Sequence, residues 1–358
     1  MLFYLGEYLK EFFGPARLFQ SYTVLIAIAL YLGFFLSRKL IPKFYNKLPH
    51  DRGREFAIKE TSDAAKGKPT GSGIVFITIF VVLCFLLIPF SLFRSLILIL
   101  TWLTMLTGYL DDRSVTSWGE YLKGLLDLLI SVAASVVLYY GLKSTSADGV
   151  VSFWLPFVSH TIQVNPVVYV VISTIMLWAS INTTNCTDGV DGLSATLVLI
   201  ALITLGVIFY FILGHVGISS YLLVPHFSGG ANWAVMIFAL AGVLMGYLWH
   251  NAFPSACLMG DAGSRALGFF IGVCVMVSGN PFLILATSSI IFVNGGMGLL
   301  KVFLLRFFKI KIFENIRFPL HDHMRKNRGW SPTQVLLKFM IIQLLITCVL
   351  VGILFKIR

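Results

Sequence analysis

Long apolar runs constrain this chain more than any other feature of its sequence. Several approach the roughly 20 residues that an α-helix needs to cross the hydrocarbon core of a membrane. Charged residues make up only 12% of the 358 residues, and the mean hydropathy is +0.88. Soluble domains carry about 25% charged residues. The sequence therefore predicts an all-α, polytopic integral membrane helix bundle in which residues 1–358 form a single domain.

Ten segments have the length and composition of membrane-spanning helices. They cover approximately residues 19–37, 72–93, 94–110, 121–142, 164–181, 193–213, 232–250, 264–280, 281–305 and 336–356. Little separates the apolar runs at 93/94 and at 280/281. The opening MLFYLGEYLKEFFG lacks a basic region and a small-residue cleavage site, so it predicts a short amphipathic helix rather than a secretory signal.

Positive charge gives the bundle an orientation. Residues 38–71 hold nine Lys and Arg and residues 306–335 hold seven, which is sixteen of the 27 in the chain. The positive-inside rule places both segments in the cytoplasm, and ten spans then put both termini on the outer side. The net charge of +11 is explained by this topology and by attraction to anionic membrane lipid. It does not indicate nucleic-acid binding, because no soluble basic domain is present.

The unusual polar clusters all fall in the five segments that this topology places in the cytoplasm. These segments are residues 38–71, 111–120, 182–192, 251–263 and 306–335. They contain KGKPTGSG, the pair DD, NTTNCTDGVDG, HNAFPSACLMGDAGS and PLHDH, respectively. The outward segments contain nothing comparable. The sequence therefore predicts a functional site on one face of the membrane, at the helix ends.

Five aspartates in three of these clusters abut apolar helix ends: Asp111, Asp112, Asp188, Asp191 and Asp261. A single loop aspartate is usually a helix cap or a solvated charge. Five on one face raise each other's proton affinity unless a cation compensates. Mg²⁺ suits such a site, because it binds through one or two carboxylates together with phosphate oxygens and water.

The segment NTTNCTDGVDG has further spacing that suits a ligand. Asp188 and Asp191 are three apart and would share a face if they were helical. Asn182 and Asn185 have the same spacing and offer amide donors to a phosphate or a base edge. Gly189 and Gly192 leave room for the backbone to approach a ligand closely.

Two other clusters have both a structural and a functional interpretation. KGKPTGSG is either a turn before a helix or a phosphate site formed by Thr70, backbone amides, Lys66 and Lys68. PLHDH is either a polar turn or part of an anion site that uses His321 and His323 beside several basic residues.

The order of these motifs resembles the polyprenyl-phosphate N-acetylhexosamine-1-phosphate transferase superfamily. The resemblance rests on PT-x-x-G, DD, N-x-x-N-x-T-D-G-x-D-G-L, N-x-x-P-x-x-x-x-M-G-D-x-G-S and a histidine motif in the last cytoplasmic segment. It covers nearly the whole chain, including ten spans with both ends outside. NTTNCTDGVDGLS and MGDAGS are its most specific parts.

The resemblance implies a reaction in the bacterial inner membrane, with the active site on the cytoplasmic face. UDP-N-acetylmuramoyl-pentapeptide and undecaprenyl phosphate would give lipid I and UMP with Mg²⁺, in peptidoglycan biosynthesis. The enzyme would contact membrane lipid, and a homodimer is compatible with the sequence.

The resemblance also implies roles for individual residues. Asp261 would be the main Mg²⁺ ligand with Asp188 in support, and Asp111 would orient or deprotonate the lipid phosphate. Asp112 would assist the metal or the phosphates. His321 would act in catalysis, facing the phosphates or the sugar. The remaining substrate contacts would come from Lys123, Asn185, Asp191, Asn251 and His323. Leu258 stands where the family has an aromatic residue that is expected to stack on uracil.

Two alternatives stay open at this point. A sister transferase would use UDP-N-acetylglucosamine or a related UDP-sugar to build another envelope polymer. A donor competition assay distinguishes it from an enzyme that uses UDP-N-acetylmuramoyl-pentapeptide. A transporter would place ionisable residues near the middle of the membrane. The aspartates at helix ends favour an enzyme over a transporter.

Overall fold

The computed structural model describes residues 1–53, 65–116, 118–146 and 148–356, and nearly all of the regular secondary structure in these ranges is helical. The predicted all-α membrane bundle is confirmed. Arg54 and Lys59, two basic residues of the first predicted cytoplasmic segment, lie outside the described residues. The helices in chain order are α1 (Leu2–Leu9), α2 (Tyr22–Phe44), α3 (Gly73–Leu87), α4 (Leu92–Arg113), α5 (Glu120–Thr145), α6 (Pro166–Thr187), α7 (Leu193–Val207), α8 (Val216–Tyr221), α9 (Gly230–Asn251), α10 (Gly260–Val277), α11 (Leu283–Ile291), α12 (Met297–Phe303), α13 (Leu320–Arg328) and α14 (Pro332–Lys356).

Shorter turns of other helix types extend several of these elements. A 3₁₀ turn at Tyr45–Lys47 continues α2, and π-helical segments at Ile208–Leu213, Phe292–Gly296 and Leu304–Phe308 continue α7, α11 and α12. With these extensions, nine helices in the described ranges are long and apolar enough to cross a membrane. The one remaining predicted span, residues 72–93, corresponds to α3, which has only 15 residues. Its length is therefore about 22 Å, less than the roughly 30 Å hydrocarbon core.

The predicted boundary at 93/94 is wrong, whereas that at 280/281 falls within a break between helices. Helix α3 ends at Leu87 and α4 begins at Leu92, so the first break lies several residues earlier. Pro89 explains its position, because proline lacks an N–H and disfavours helical backbone in the residue before it. The second break spans residues 278–282, where Asn280 Oδ1 accepts the N–H of Phe282 at 2.9 Å.

Helix α10 forms the centre of the bundle. All of its residues except Asp261 are buried, and it packs against α3, α4, α6 and α7. Glycines allow two of these close contacts: a Cβ on Gly73 would lie 2.2 Å from Gly263 N, and one on Gly108 would lie 2.4 Å from Asp261 O. The start of α10 is thereby held directly against two neighbouring backbones.

The two ends of the bundle differ. Asp111, Asp188 and Asp261 lie at the end where α4 and α6 finish and α10 starts. The opposite end carries a two-stranded antiparallel hairpin, Ser152–Phe153 with Ile162–Gln163. Trp154 follows the first strand, and its Nε1 donates to Ser278 O at 2.7 Å.

A kink in α11 positions the segment that follows it. Ser288 has non-helical backbone angles, which releases groups from the helical hydrogen-bond ladder. Gln343 of α14 replaces these bonds: its Oε1 accepts the N–H of Ile290 at 2.8 Å, and its Nε2 donates to Ala286 O at 3.1 Å. A buried side chain thus fixes the direction in which the chain continues toward Asn294.

Candidate active site

The predicted site residues gather at one end of the bundle, but most of them lie on helices rather than in loops. Helix α4 continues through Asp111 and Asp112, and α6 continues through Asn182 and Asn185. Asn251 is the last residue of α9, Asp261 lies in the first turn of α10, and His321 lies in the first turn of α13. The predicted loop boundaries were therefore wrong by several residues, because polar residues can extend a helix beyond its apolar span.

A lysine joins two of the predicted aspartates. Lys123, in the first turn of α5, places Nζ 3.1 Å from Asp261 Oδ2 and also pairs with Asp111 Oδ2. Asp111 is buried, and its Oδ1 accepts the N–H of Trp118 at 2.7 Å. The ends of α4, α5 and α10 thus meet in an arrangement of two carboxylates around one ammonium group, which we call the Asp–Lys–Asp cluster.

Asp112 organises the backbone of this cluster. Its Oδ1 accepts the N–H of Asp261 and its Oδ2 accepts the N–H of Ala262, both at 3.0 Å. These N–H groups lie in the first turn of α10, where no carbonyl of the same helix can accept them and where a negative charge is also favoured by the helix dipole. Gly260 has φ +68°, and a Cβ there would lie 2.2 Å from Asp112 Oδ2. Asp112 therefore fixes the position of Asp261, while its predicted contact with metal or phosphate stays a prediction.

Three asparagines predicted to bind substrate make hydrogen bonds within the protein. Asn251 is buried, and it accepts from Gly192 N and donates to Cys257 O, both at 2.9 Å. Asn185 Oδ1 accepts from the hydroxyl of Ser264 at 3.0 Å. Asn182 Nδ2 donates to Trp178 O at 2.9 Å. The bonds of Asn185 and Asn251 tie the NTTNCTDGVDG segment to α10 and to the segment after α9, whereas that of Asn182 stays within α6.

The segment after α9 is itself closely packed. Ser72 donates through N and Oγ to Leu258 O, at 3.2 Å and 2.9 Å. Burial raises the pKa of the neighbouring Cys257 thiol to about 11, so this thiol is protonated at neutral pH. The contacts of Cys257 are therefore those of a small packed side chain rather than of a reactive thiolate.

Asp188 and Asp191 do not share a helical face. Asp188 caps α6 with φ −82° and ψ 63°, and Asp191 lies in the following turn. Asp191 Oδ2 accepts the N–H of Ser255 at 3.0 Å and lies 3.9 Å from Lys68 Nζ. Lys68 also donates to Ser255 Oγ at 3.0 Å.

The KGKPTGSG segment packs beside the site, although its members differ in exposure. Lys66 is exposed in the turn. Thr70 is buried, and its N–H donates to Pro49 O at 2.8 Å. A Cβ on Gly71 would lie 3.3 Å from Asp112 Oδ2, so this segment lies directly against the residue that caps α10.

The two histidines have different surroundings. His321 is buried, its N–H donates to Asn294 Oδ1 at 2.8 Å, and its ring lies against the same asparagine side chain. A Cβ on Gly189 would lie 2.3 Å from His321 Nε2, so the space expected there for a ligand holds this imidazole. His323 instead lines a cavity of about 340 Å³ with Lys301, Arg317 and Lys326.

Sequence reasoning missed three residues near this end of the bundle. Asn294, in the π-helical segment Phe292–Gly296, holds His321. Asp127 and Arg265 form a buried ion pair between α5 and α10. The sequence held a signal for this ion pair: Asp127 lies four residues after Lys123, Arg265 lies four residues after Asp261, and each has the charge opposite to that of the residue it follows.

The chemistry of the cluster suits a hard cation. The part of the chain that the structure describes contains no group of three or more His, Cys, Asp or Glu placed to hold a metal. Asp111 and Asp261 nevertheless converge on one positive group, Lys123 Nζ. Mg²⁺ commonly uses one or two carboxylates and takes its other ligands from phosphate and water. A magnesium ion that arrives with a phosphate-bearing substrate would need only one of these carboxylates, and its binding here stays a prediction.

The fold and the site define a polytopic membrane protein with an acidic, lysine-containing site at one end of a helix bundle. The sequence profile described as glycosyl transferase family 4 matches residues 94–279, the part that contains the Asp–Lys–Asp cluster. The match spans about half of the chain and includes nearly all of α4 together with α5 and α10.

Similar curated proteins narrow this class. A phospho-N-acetylmuramoyl-pentapeptide-transferase of Treponema pallidum is 57% identical over 98% of this chain and 95% of its own length. Proteins of the same name from Campylobacter curvus and Campylobacter jejuni are 30% and 32% identical, over 96% and 89% of this chain and 97% and 90% of their own lengths. The chain belongs to the phospho-N-acetylmuramoyl-pentapeptide-transferase family, within glycosyl transferase family 4.

Proposed function

We propose that this protein transfers phospho-N-acetylmuramoyl-pentapeptide from its UDP-linked donor to undecaprenyl phosphate, forming lipid I and releasing UMP. The observation that carries the proposal is the Asp–Lys–Asp cluster, in which Lys123 Nζ lies between Asp111 and Asp261 at the helix ends. Membership of the family identifies the transferred group, since its members are named phospho-N-acetylmuramoyl-pentapeptide-transferase.

The position of the cluster suits the two substrates. The donor is soluble and the acceptor phosphate is anchored in lipid, so they meet where the bilayer ends. We place this end of the bundle at the cytoplasmic face of the bacterial inner membrane, because the two basic segments flank it.

The reaction joins two anions. An oxygen of the lipid phosphate attacks the β-phosphorus of the donor, the bond from that phosphorus to the bridging oxygen breaks, and its electron pair leaves with UMP. A bound Mg²⁺ would supply positive charge that offsets the repulsion and the charge on the leaving phosphate. Asp261 would be its main ligand with Asp188 in support, while Asp111 stays paired with Lys123.

The side chains of this protein have distinct tasks in that scheme. Lys123 supplies a fixed positive charge beside the phosphates. Asp111 orients Lys123, and a phosphate that is already largely ionised at neutral pH requires no strong base. Asp112 holds the backbone of Asp261 in place. Lys66, Lys68 and His323 are candidates for contacts with the phosphates or the sugar-peptide.

Donor selection tests this proposal directly. Purified protein with undecaprenyl phosphate receives either UDP-N-acetylmuramoyl-pentapeptide or UDP-N-acetylglucosamine, and UMP release is measured with and without Mg²⁺. We expect rapid turnover with the first donor only, abolished by EDTA and restored by Mg²⁺. Preferential use of UDP-N-acetylglucosamine would contradict the donor assignment, and full activity in EDTA would contradict the metal assignment.

A further inference from the structure

Two opposite charges lie inside membrane-spanning helices, outside the cluster described above. Asp127 of α5 and Arg265 of α10 are each 1% exposed. Arg265 Nε lies 3.2 Å from Asp127 Oδ1, and Arg265 Nη2 contacts the same oxygen. Charged side chains within membrane spans are energetically unfavourable and usually serve a function. The pair therefore requires an explanation beyond packing.

Its position relates it to the active site. Asp127 follows Lys123 by four residues on α5, and Arg265 follows Asp261 by four residues on α10. Residues four apart are neighbours on a helix face, so the second pair lies about one turn, or 5.4 Å, deeper in the bundle. The two helices are thus joined by two successive ion pairs.

The signs of these four charges alternate. Along α5 a positive residue precedes a negative one, and along α10 a negative residue precedes a positive one. Lys123 therefore faces Asp261 across the interface and has Asp127 beside it on its own helix. Asp261 likewise faces Lys123 and has Arg265 beside it. Lys123 and Asp261, the pair nearer the helix ends, are therefore each flanked by two opposite charges.

Stability alone does not account for a buried pair of this kind. Two apolar side chains of similar size usually stabilise a buried position at least as well, whereas a buried ion pair can specify one arrangement of its elements. A relative shift of α5 and α10 by one residue would separate both pairs at once. The alternating charges therefore select the register that places Lys123 opposite Asp261.

We propose that Asp127 and Arg265 are positioning residues for the transfer reaction: they fix the register of α5 against α10, and so hold Lys123 Nζ at Asp261. This inference rests on the proposed function, since it concerns the geometry of the same site. Neither residue contacts substrate, because both are buried beneath the cluster.

The test removes the charges without leaving one of them unpaired. In the Asp127→Leu/Arg265→Met double variant we expect kcat to fall about tenfold or more, with the apparent KM for the UDP donor and the unfolding midpoint unchanged. The charge-swapped variant Asp127→Arg/Arg265→Asp keeps an ion pair but places like charges beside Lys123 and Asp261, so we expect a larger loss of kcat. Arg265→Lys keeps the charge, and we expect it to retain kcat within about threefold.

A matched control uses an exposed ion pair on the same helix. Glu120 of α5 pairs with Arg306 at 3.1 Å at the surface, and Glu120→Gln/Arg306→Gln should leave kcat unchanged. A folded apolar double variant with wild-type kcat overturns the proposal, as does a folded charge-swapped variant with wild-type kcat. Failure of the proposed function looks different, because the wild-type protein itself would then not use the donor.

Discussion

Substitution of Gly108 by alanine tests whether the backbone of Asp261 is placed accurately for the reaction. Gly108 lies on α4, one turn before Asp112, where α4 contacts the start of α10. A methyl group there would lie 2.4 Å from Asp261 O and 2.6 Å from Ala262 N, whereas ordinary contact begins at 3.4 Å. The first turn of α10 must therefore move by about 1 Å, and a displacement of this size can reduce a rate by about 100-fold.

We expect Gly108→Ala to lower kcat by about two orders of magnitude, which corresponds to about 2.7 kcal/mol in the activation free energy. The displaced group carries Asp261, whose Oδ2 lies 3.1 Å from Lys123 Nζ, so the Asp–Lys–Asp cluster should open. Overpacking should also lower the free energy of unfolding by about 1–3 kcal/mol. The assay is UMP release with undecaprenyl phosphate in detergent, together with a thermal unfolding measurement.

Gly124 provides the control for this experiment. It follows Lys123 on α5, but a Cβ at Gly124 has no neighbouring atom within 4 Å in the described part of the chain. Gly124→Ala should therefore keep wild-type kcat and slightly stabilise α5, since alanine favours a helix by about 0.5–1 kcal/mol over glycine. If folded Gly108→Ala also retained kcat within threefold, the placement of α10 would not limit the reaction and our reasoning would be refuted.

Three further predictions address the metal, the orientation and the nucleotide. Asp261→Asn should reduce kcat by at least 100-fold while the protein stays folded in detergent, because the amide keeps the shape but loses the charge that attracts Mg²⁺; near-normal activity with unchanged Mg²⁺ dependence would remove Asp261 from the site. In intact cells, a cysteine at Lys47 should be protected from an impermeant thiol reagent and one at Ser228 should be labelled, and the reverse pattern would invert the membrane orientation. Leu258→Phe should lower the apparent KM for the UDP donor with little change in kcat, since an added ring stacks on a base with about 1–3 kcal/mol; an unchanged KM would show that Leu258 does not face the uracil.

The membrane architecture was predictable because span length and apolar composition are local properties of the sequence. The clustering of polar residues at one end was predictable for a related reason. An alternating path through the membrane returns every second connection to the same face. The break before α4 was misplaced because the apolar run continues on both sides of Pro89, and only the backbone chemistry of proline reveals where the helix stops.

The contacts within the site could not be predicted in the same way. Asp112 and Asp261 are 149 residues apart in the chain, and no local pattern indicates that one caps the helix of the other. The burial of His321 against Gly189 also depends on how α6 and α13 pack. The sequence did contain a usable signal for Asp127 and Arg265. Each lies four residues after a predicted site residue and carries the opposite charge.

The polar residues at this end of the bundle divide according to what their atoms already bind. Each carboxylate oxygen of Asp112 accepts a backbone N–H, and Asn251 both accepts from and donates to backbone groups while buried. Their replacement would disturb the backbone of α10 and of the NTTNCTDGVDG segment even if neither residue contacted substrate. Lys66 is exposed in its turn and His323 lines an open cationic cavity, so these positions are accessible to an anionic substrate. The pattern most specific to the family is therefore largely the framework of the site, and differences in donor recognition should arise at its exposed margin.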